Sequence, residues 1–185
     1  VSEAIRRAVT GEGPRRVIVT MPPRHGKSSL VSYATPTWFL NTFPERKVGL
    51  ASYEADFASE WGHRVREAIR EHQQWLRVRL DPSFSSRSAW YTTAGGGMFT
   101  AGVGGPFTGR GFDLLIVDDP IKNAQDAHSE TVRERLWAWW QTTALTRLEP
   151  DGVAIVLMTR WHEEDLVGRL MRAELEGTGE RWRVI

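Results

Sequence analysis

The sequence contains no cysteine among its 185 residues. Disulfide bonds and thiolate metal sites are therefore excluded, and the absence fits a reducing compartment. Lys and Arg number 24 and Asp and Glu 23, so the total charge gives no argument for a DNA or membrane partner. No apolar run approaches the roughly 18 residues that a membrane-spanning helix needs. What remains is an ordinary globular composition, long enough for one α/β domain with a core.

A glycine is also missing from the stretch "VTMPPRHGKSSLV" at 19–31. It ends like a phosphate-binding loop, but Met21 stands where G-x-x-x-x-G-K-[ST] has its first glycine. The surrounding pattern is nevertheless suitable, because an apolar strand at 16–21 precedes the loop and a helical pattern begins at Gly26. Lys27 would reach the β- and γ-phosphates and the Ser28 hydroxyl would ligate Mg²⁺. The residues predicted to bind nucleotide here are Pro23, Arg24, His25, Gly26, Lys27, Ser28 and Ser29. An ordinary strand–helix turn remains an open alternative for this stretch by itself.

A second motif, "LLIVDD" at 114–119, favours the nucleotide site. P-loop ATPases need an apolar strand that ends in an acid, and here Asp118 would hold Mg²⁺. The next residue usually polarises the attacking water, and Asp119 stands there where glutamate is commoner. A pair of acids capping a turn before Pro120 is the alternative. Because the two motifs follow one another in the correct order, each at the end of a strand, the sequence predicts a nucleotide site.

The order of predicted elements defines the fold class. Strands alternate with helices, which predicts a mostly parallel central sheet flanked by helices. One strand–helix unit and a further strand region separate the two motifs, as in the P-loop NTPases of the additional-strand type. The predicted helices are 2–9, 26–40 with a kink or an early stop at Pro36, 55–75, 129–148 and 163–175. The predicted strands are 16–21, 47–52, 88–93, 97–102, 113–120, 152–160 and a short one near the end of the chain, with a polar loop at 121–128.

Three segments together, "MPPRHGKSS", "TGRGFDLLIVDDPIKN" and "VLMTRWHEEDLVGRL", resemble the large terminase subunit of tailed bacteriophages. The resemblance runs from about Val17 to Leu170. In that family an N-terminal ATPase drives DNA into a procapsid and a C-terminal nuclease cuts the concatemer. The resemblance implies that residues 1–185 form the ATPase domain, ending before a nuclease domain, with no nuclease activity in this segment.

The same resemblance implies cofactors, partners and location. ATP and Mg²⁺ would be used in the cytoplasm of the bacterial host during virion assembly. The partners would be double-stranded DNA, the small terminase subunit and further copies of the chain in a ring on the procapsid portal, with no membrane.

Residue roles also follow from the resemblance. Arg24 resembles a loop arginine that contacts the γ-phosphate, while Asp118 and Asp119 match the metal-side acid and the catalytic carboxylate. Since aspartate is one methylene shorter than the usual glutamate, turnover is in question. Thr159, with Arg160, matches the coupling motif that senses the γ-phosphate.

Arg110 lies in the glycine-rich stretch "GGPFTGRGFD" and is the candidate arginine finger. A finger from one subunit of a ring would complete the site of its neighbour. The alternative is an arginine that anchors this loop to Asp113 or Asp119.

Other patterns have simpler interpretations. "HEED" at 162–165 could indicate a metal site, but acids in the first turn of a helix are favoured. "WAWW" at 137–140 and Trp161 could stack on DNA bases, but a buried core or an interface is favoured. Two rival functions remain: another additional-strand motor such as a helicase, and a nucleotide-gated DNA-binding module without efficient turnover, which Asp119 keeps open.

Overall fold

The structure is a computed structural model that describes residues 1–22, 24–105, 107 and 109–185, and for Ser85 the backbone alone. Eight strands form one sheet in the order β3-β4-β5-β2-β6-β7-β1-β8. The strands are β1 Arg16–Thr20, β2 Lys47–Ser52, β3 Leu80–Ser85, β4 Ala89–Thr92, β5 Gly97–Gly102, β6 Phe112–Asp118, β7 Leu148–Met158 and β8 Arg183–Val184. Among the described residues, five neighbouring pairs are parallel, and the β3–β4 and β4–β5 pairs are antiparallel.

The position of β7 determines the class of the fold. This strand pairs with β1 on one side and with β6 on the other, so an additional strand separates the two motif strands. The prediction of a P-loop NTPase fold of the additional-strand type, with a mostly parallel sheet, is confirmed. Because β1, β6 and β7 are parallel, their carboxyl ends meet at one edge of the sheet.

Helices cover both faces of the sheet. They are α1 Ser2–Val9, a π-helical segment Ser29–Ala34 leading into α2 Thr35–Thr42, α3 Ala55–Glu71, α4 Ala124–His128, α5 Glu130–Trp139 and α6 Leu166–Leu175. Alternate strand residues face opposite ways: Val17 and Val19 of β1 join the core beneath α1 to α3, while Ile18 joins the other core, beneath α4 to α6. No helix of the described ranges is long and apolar enough to cross a membrane.

The kink predicted at Pro36 takes the form of a π-helical segment. In an α-helix the proline ring would meet the carbonyl four residues earlier. Here the turn before it is widened, and the Thr35 N–H donates to the carbonyl of Leu30, five residues back. The Thr35 hydroxyl donates to the same carbonyl over 2.9 Å. The helix therefore continues past the proline instead of stopping.

Several predicted boundaries were wrong. The helix predicted at 129–148 ends as α-helix at Trp139 and continues as a π segment Trp140–Ala144 and a 3₁₀ turn Leu145–Arg147. β7 begins at Leu148, not at 152, and α6 at Leu166, not at 163. The loop predicted at 121–128 contains α4, whose first turn is capped by Asn123 accepting the Asp126 N–H over 2.9 Å. Strand β3 was not predicted.

The tryptophans at 137–140 pack mainly inside the protein. Trp139 and Trp140 are buried against the sheet face that α4 to α6 cover, and Trp137 packs against the same core. The core interpretation is confirmed for these residues. Trp161 is different, since 41% of its surface is exposed.

Candidate nucleotide site

The loop after β1 contains two left-handed residues. Arg24 has φ 63° and Gly26 has φ 74°. Non-glycine residues rarely adopt this conformation, and those that do are concentrated at functional sites. Left-handed turns of this kind let consecutive backbone N–H groups face one anion. Pro23, predicted to belong to the loop, lies outside the described residues.

Lys27 is the centre of a polar network at the carboxyl edge of the sheet. Its side chain is only 7% exposed and forms an ion pair with the carboxylate of Asp119. The Lys27 ammonium also donates to Thr159 Oγ1 over 3.2 Å. Thr159 in turn donates its hydroxyl to the carbonyl of Met21, 3.2 Å away. Residues that follow β1, β6 and β7 are therefore joined in one site.

The backbone and the side chain of Asp119 both form hydrogen bonds with neighbouring segments. Its Oδ1 accepts the backbone N–H of Thr159 at 3.0 Å, and its own N–H donates to the carbonyl of Leu157 at 2.8 Å. The Asp119 carbonyl accepts the Tyr53 N–H over 3.3 Å. Asp119 has φ 42°, a left-handed conformation that costs about 1–3 kcal/mol unless the surroundings fix it. The chain thus maintains a strained residue at the position predicted for the catalytic carboxylate.

Asp118 is fully buried beneath the helix that follows the phosphate loop. Its Oδ1 accepts the Ser28 hydroxyl at 3.1 Å and its Oδ2 accepts the Ser32 hydroxyl at 2.6 Å. Burial raises the pKa of the Asp118 carboxyl to about 6; the two serine hydrogen bonds oppose the shift and the nearby Asp119 charge adds to it. A hydroxyl beside a carboxylate fits Mg²⁺, which prefers hard oxygen ligands. Ser28 and Asp118 are the residues that would hold this ion.

Ser32 was missed in the sequence. It lies four residues after Ser28, and in the structure both hydroxyls point to the same carboxylate. The sequence feature that could have indicated Ser32 was this four-residue spacing, which places two hydroxyls on one face of a helix. A lone serine inside a helix carries no motif that would have singled it out.

Arg160 lies just beyond Thr159 and contacts the start of α6. Its Nε donates to Asp165 Oδ2 over 2.8 Å, and Asp165 is completely buried. The other oxygen of Asp165 caps α6 by accepting the Gly168 N–H at 2.9 Å. Glu164 pairs with Arg172 of that helix. The acids of "HEED" therefore precede α6 and do not lie in its first turn as predicted, and of them Asp165 caps the helix. The predicted nucleotide contact of Arg160 would have to coexist with its bond to Asp165.

Arg110 lies far from the site of its own chain. It precedes Phe112, at the amino end of β6, whereas Asp118 ends that strand about 20 Å away at roughly 3.3 Å per residue. The Arg110 guanidinium lies over the ring of Phe99, 4.7 Å from its centroid. Within the described ranges neither proposed anchor pairs with it: Asp113 accepts the Lys47 N–H at 2.8 Å, and Asp119 binds Lys27.

The strand order, the phosphate loop and the paired aspartates define a P-loop NTPase of the additional-strand type. More particularly, the chain belongs to the family described as terminase large subunit, T4likevirus-type, N-terminal, which matches residues 18–184.

Solved structures agree in fold. The HK97 bacteriophage large terminase is 14% identical, with 92% of this chain and 35% of that chain covered and a TM-score of 0.59. The large terminase of a thermophilic bacteriophage, in complex with ATP-gamma-S, is 12% identical. The match covers 99% of this chain and 44% of that chain, with a TM-score of 0.56. The Thermus phage P74-26 large terminase ATPase domain is 15% identical, with 78% and 59% covered and a TM-score of 0.52. The chain thus spans less than two thirds of each. No curated protein matches.

Proposed function

We propose that this chain is the ATPase of a phage packaging motor, which hydrolyses ATP to drive double-stranded viral DNA into a procapsid. Family membership supports the packaging role, and a relative of the same fold is known in complex with ATP-gamma-S. The observation that carries the proposal is the joining of Lys27, Asp119 and Thr159 beside the Ser28–Asp118 pair. These are the lysine, carboxylates and hydroxyls that phosphoryl transfer to water requires.

The chemistry begins with an exchange of partners at Lys27. The ammonium leaves Asp119 for the β- and γ-phosphates, where charge develops in the transition state. The carboxylate released in this way is free to accept a hydrogen bond from the attacking water. Thr159 keeps hold of it through its backbone N–H, so the carboxylate stays oriented while its partner changes.

The remaining groups bind and neutralise the nucleotide. Ser28 and Asp118 would hold Mg²⁺, which would neutralise charge on the phosphate oxygens. Arg24, with its left-handed backbone, supplies the loop arginine at the γ-phosphate. The polar contact between Thr159 and Lys27 gives β7 a means of sensing that phosphate. His25, Gly26 and Ser29 contribute loop amides.

Assembly and location belong to the same proposal. Residues 1–185 act as one ATPase domain, in a ring of copies on the procapsid portal, with the small terminase subunit, in the host cytoplasm. Arg110 acts across the ring, because it lies at the edge of the sheet opposite its own phosphate loop.

One observation favours a second candidate, a nucleotide-gated DNA-binding module without efficient turnover. The Lys27–Asp119 ion pair engages the carboxylate that hydrolysis needs, and aspartate is shorter than the usual glutamate. Phosphate release by the isolated chain and by the assembled ring separates the two candidates. A ring that binds ATP and translocates nothing, with no phosphate released, would support the gated module.

Replacing Lys27 tests the site directly. Lys27→Ala should abolish ATP hydrolysis, because the main positive charge on the transferring phosphate is lost. Lys47→Ala is the matched control, since Lys47 begins β2 at the opposite edge of the sheet and should leave the rate within about twofold. Phosphate release is the measurement. Retained turnover in the Lys27 variant would make the loop a structural turn.

A further inference from the structure

A third hydroxyl lies beside the metal-side acid. Ser52 ends β2, and its register partner on β6 is Asp118. Along β2, Val48 and Leu50 face the core beneath α1 to α3, and Ser52 continues that alternation. On β6 the core residues Leu114 and Ile116 face the same way, which places the Asp118 side chain next to that of Ser52.

Ser52 is completely buried, and its hydroxyl has no hydrogen-bond partner among the residues that the structure describes. A buried hydroxyl without a partner destabilises a fold, so such groups are rare and usually have a role. Alanine would fill the same space without that penalty. The location makes a role specific, because the neighbouring carboxylate is the group proposed to hold Mg²⁺.

The two hydrogen bonds of Asp118 leave acceptor sites free. An ionised carboxylate offers about four lone-pair sites, and the serines at 28 and 32 occupy one on each oxygen. Were Mg²⁺ bound with a nucleotide, Ser28 and Asp118 would hold it. A free acceptor site of Asp118 would remain for a donor from β2.

We propose that Ser52 is a positioning residue for Asp118, and that its hydroxyl donates to this carboxylate when the Mg²⁺–nucleotide complex forms. The inference rests on the proposed function, since it requires a site that binds Mg²⁺ with a nucleotide. The hydroxyl stays protonated throughout and only changes from unpartnered to donating. Three serines, from two elements, then hold one buried carboxylate in the orientation that the metal needs.

The test compares ADP binding to the intact chain with Mg²⁺ and in excess chelator, by calorimetry. Ser52→Ala should weaken the Mg²⁺-dependent part about 3- to 10-fold, as for the loss of one hydrogen bond, and leave the metal-free ADP affinity within about twofold. Ser52→Thr keeps the hydroxyl and should restore Mg²⁺ dependence. Ser59→Ala is the control, because Ser59 is also buried but donates to the Asp56 carbonyl on α3.

The outcomes are distinct. If Ser52→Ala binds Mg²⁺ and ADP as the wild type does, the proposal is wrong, and the variant should simply be more stable to heat. A threonine variant as weak as the alanine variant would also overturn it. If the wild type itself shows no Mg²⁺-dependent ADP binding, the proposed function fails, which is a separate result.

Discussion

At the scale of single residues, the proposed function makes Asp119 the residue on which ATP hydrolysis depends. Asp119→Asn keeps an oxygen for the Thr159 N–H but loses the charge that pairs with Lys27. We expect ATP binding to persist and hydrolysis to fall by about 10²-fold or more, as for the loss of a general base. Asp119→Glu should keep or raise the rate, since its carboxylate reaches one methylene further. Filter binding and phosphate release measure the two quantities, and an unchanged rate in the Asn variant would assign the base elsewhere.

Asp118 predicts a pH dependence. Its pKa of about 6 lies above the ordinary 3.8, chiefly because of burial. The folded state therefore binds the proton of Asp118 more tightly than the unfolded chain does. This binding stabilises the fold fully at a pH below the pKa of the unfolded state. The stabilisation is lost as the pH rises through the pKa of the folded state. The fold with ionised Asp118 is therefore less stable at neutral pH than it is with the protonated carboxyl.

Asp118→Asn should remove this pH-dependent loss of stability, because asparagine does not ionise. Between about pH 4 and about pH 8, the stability of the variant relative to the wild type should increase by about 2–3 kcal/mol. Urea unfolding of both proteins at several pH values measures this difference. The same Asn variant should lose Mg²⁺-dependent nucleotide binding. A relative stability that does not vary with pH would mean that Asp118 ionises as an ordinary carboxyl.

At the scale of elements, the beginning of α6 is coupled to the end of β7 through Asp165. This buried side chain caps the helix and pairs with Arg160. Asp165→Ala should therefore lower the free energy of unfolding by about 2–4 kcal/mol. Asp165→Asn should cost less, because asparagine also caps helices. Thermal or urea unfolding measures this free energy for both variants. If both variants lose the same free energy of unfolding, capping by residue 165 does not stabilise the helix.

A comparison of Arg160→Ala with Asp165→Asn tests Arg160. If Arg160 binds nucleotide, Arg160→Ala should weaken ATP binding while Asp165→Asn leaves it nearly unchanged. If Arg160 only anchors the loop after β7, both variants should alter binding alike.

The elements that the sequence predicted best are the buried parallel strands. β1, β2 and β6 are short apolar runs, and such runs have few alternatives once helices alternate with them. β3 escaped prediction because "LDPSFS" has a proline and polar residues and pairs only at the edge of the sheet. The π-helical turns have no periodic signature, since hydrophobic periodicity is judged against 3.6 residues per turn.

The site follows a similar rule. Lys27, Ser28 and Asp118 were predicted because motifs mark the carboxyl ends of strands, where the sheet brings them together, and Thr159 because the resemblance to large terminase subunits implies it. Ser32 was not predicted, because its role depends on where a helix crosses a strand. The pairing of Lys27 with Asp119 was not foreseen either, since both had been assigned to the nucleotide.

At the scale of the whole molecule, the proposed ring requires the two ends of β6 to serve different subunits. Asp118 ends the strand at the phosphate loop, whereas Arg110 precedes it at the other edge, about 20 Å away. Glycines with left-handed backbones, Gly104 at φ 82° and Gly109 at φ 68°, permit turns in the loop that carries it. This placement is the reason for proposing that Arg110 serves a neighbour in the ring.

Mixing two inactive variants tests this arrangement. Arg110→Ala and Lys27→Ala should each abolish the hydrolysis of the assembled ring, since an arginine finger contributes about 10³-fold or more. In mixed rings some interfaces pair an intact Arg110 with an intact Lys27, so hydrolysis should return. Arg77→Ala, at another exposed arginine, should leave the ring active. If co-assembled mixtures stay as inactive as either parent while wild-type rings hydrolyse ATP, Arg110 does not act in trans. Its contact with the Phe99 ring would then be its role, and Arg24 would become the leading arginine at the γ-phosphate.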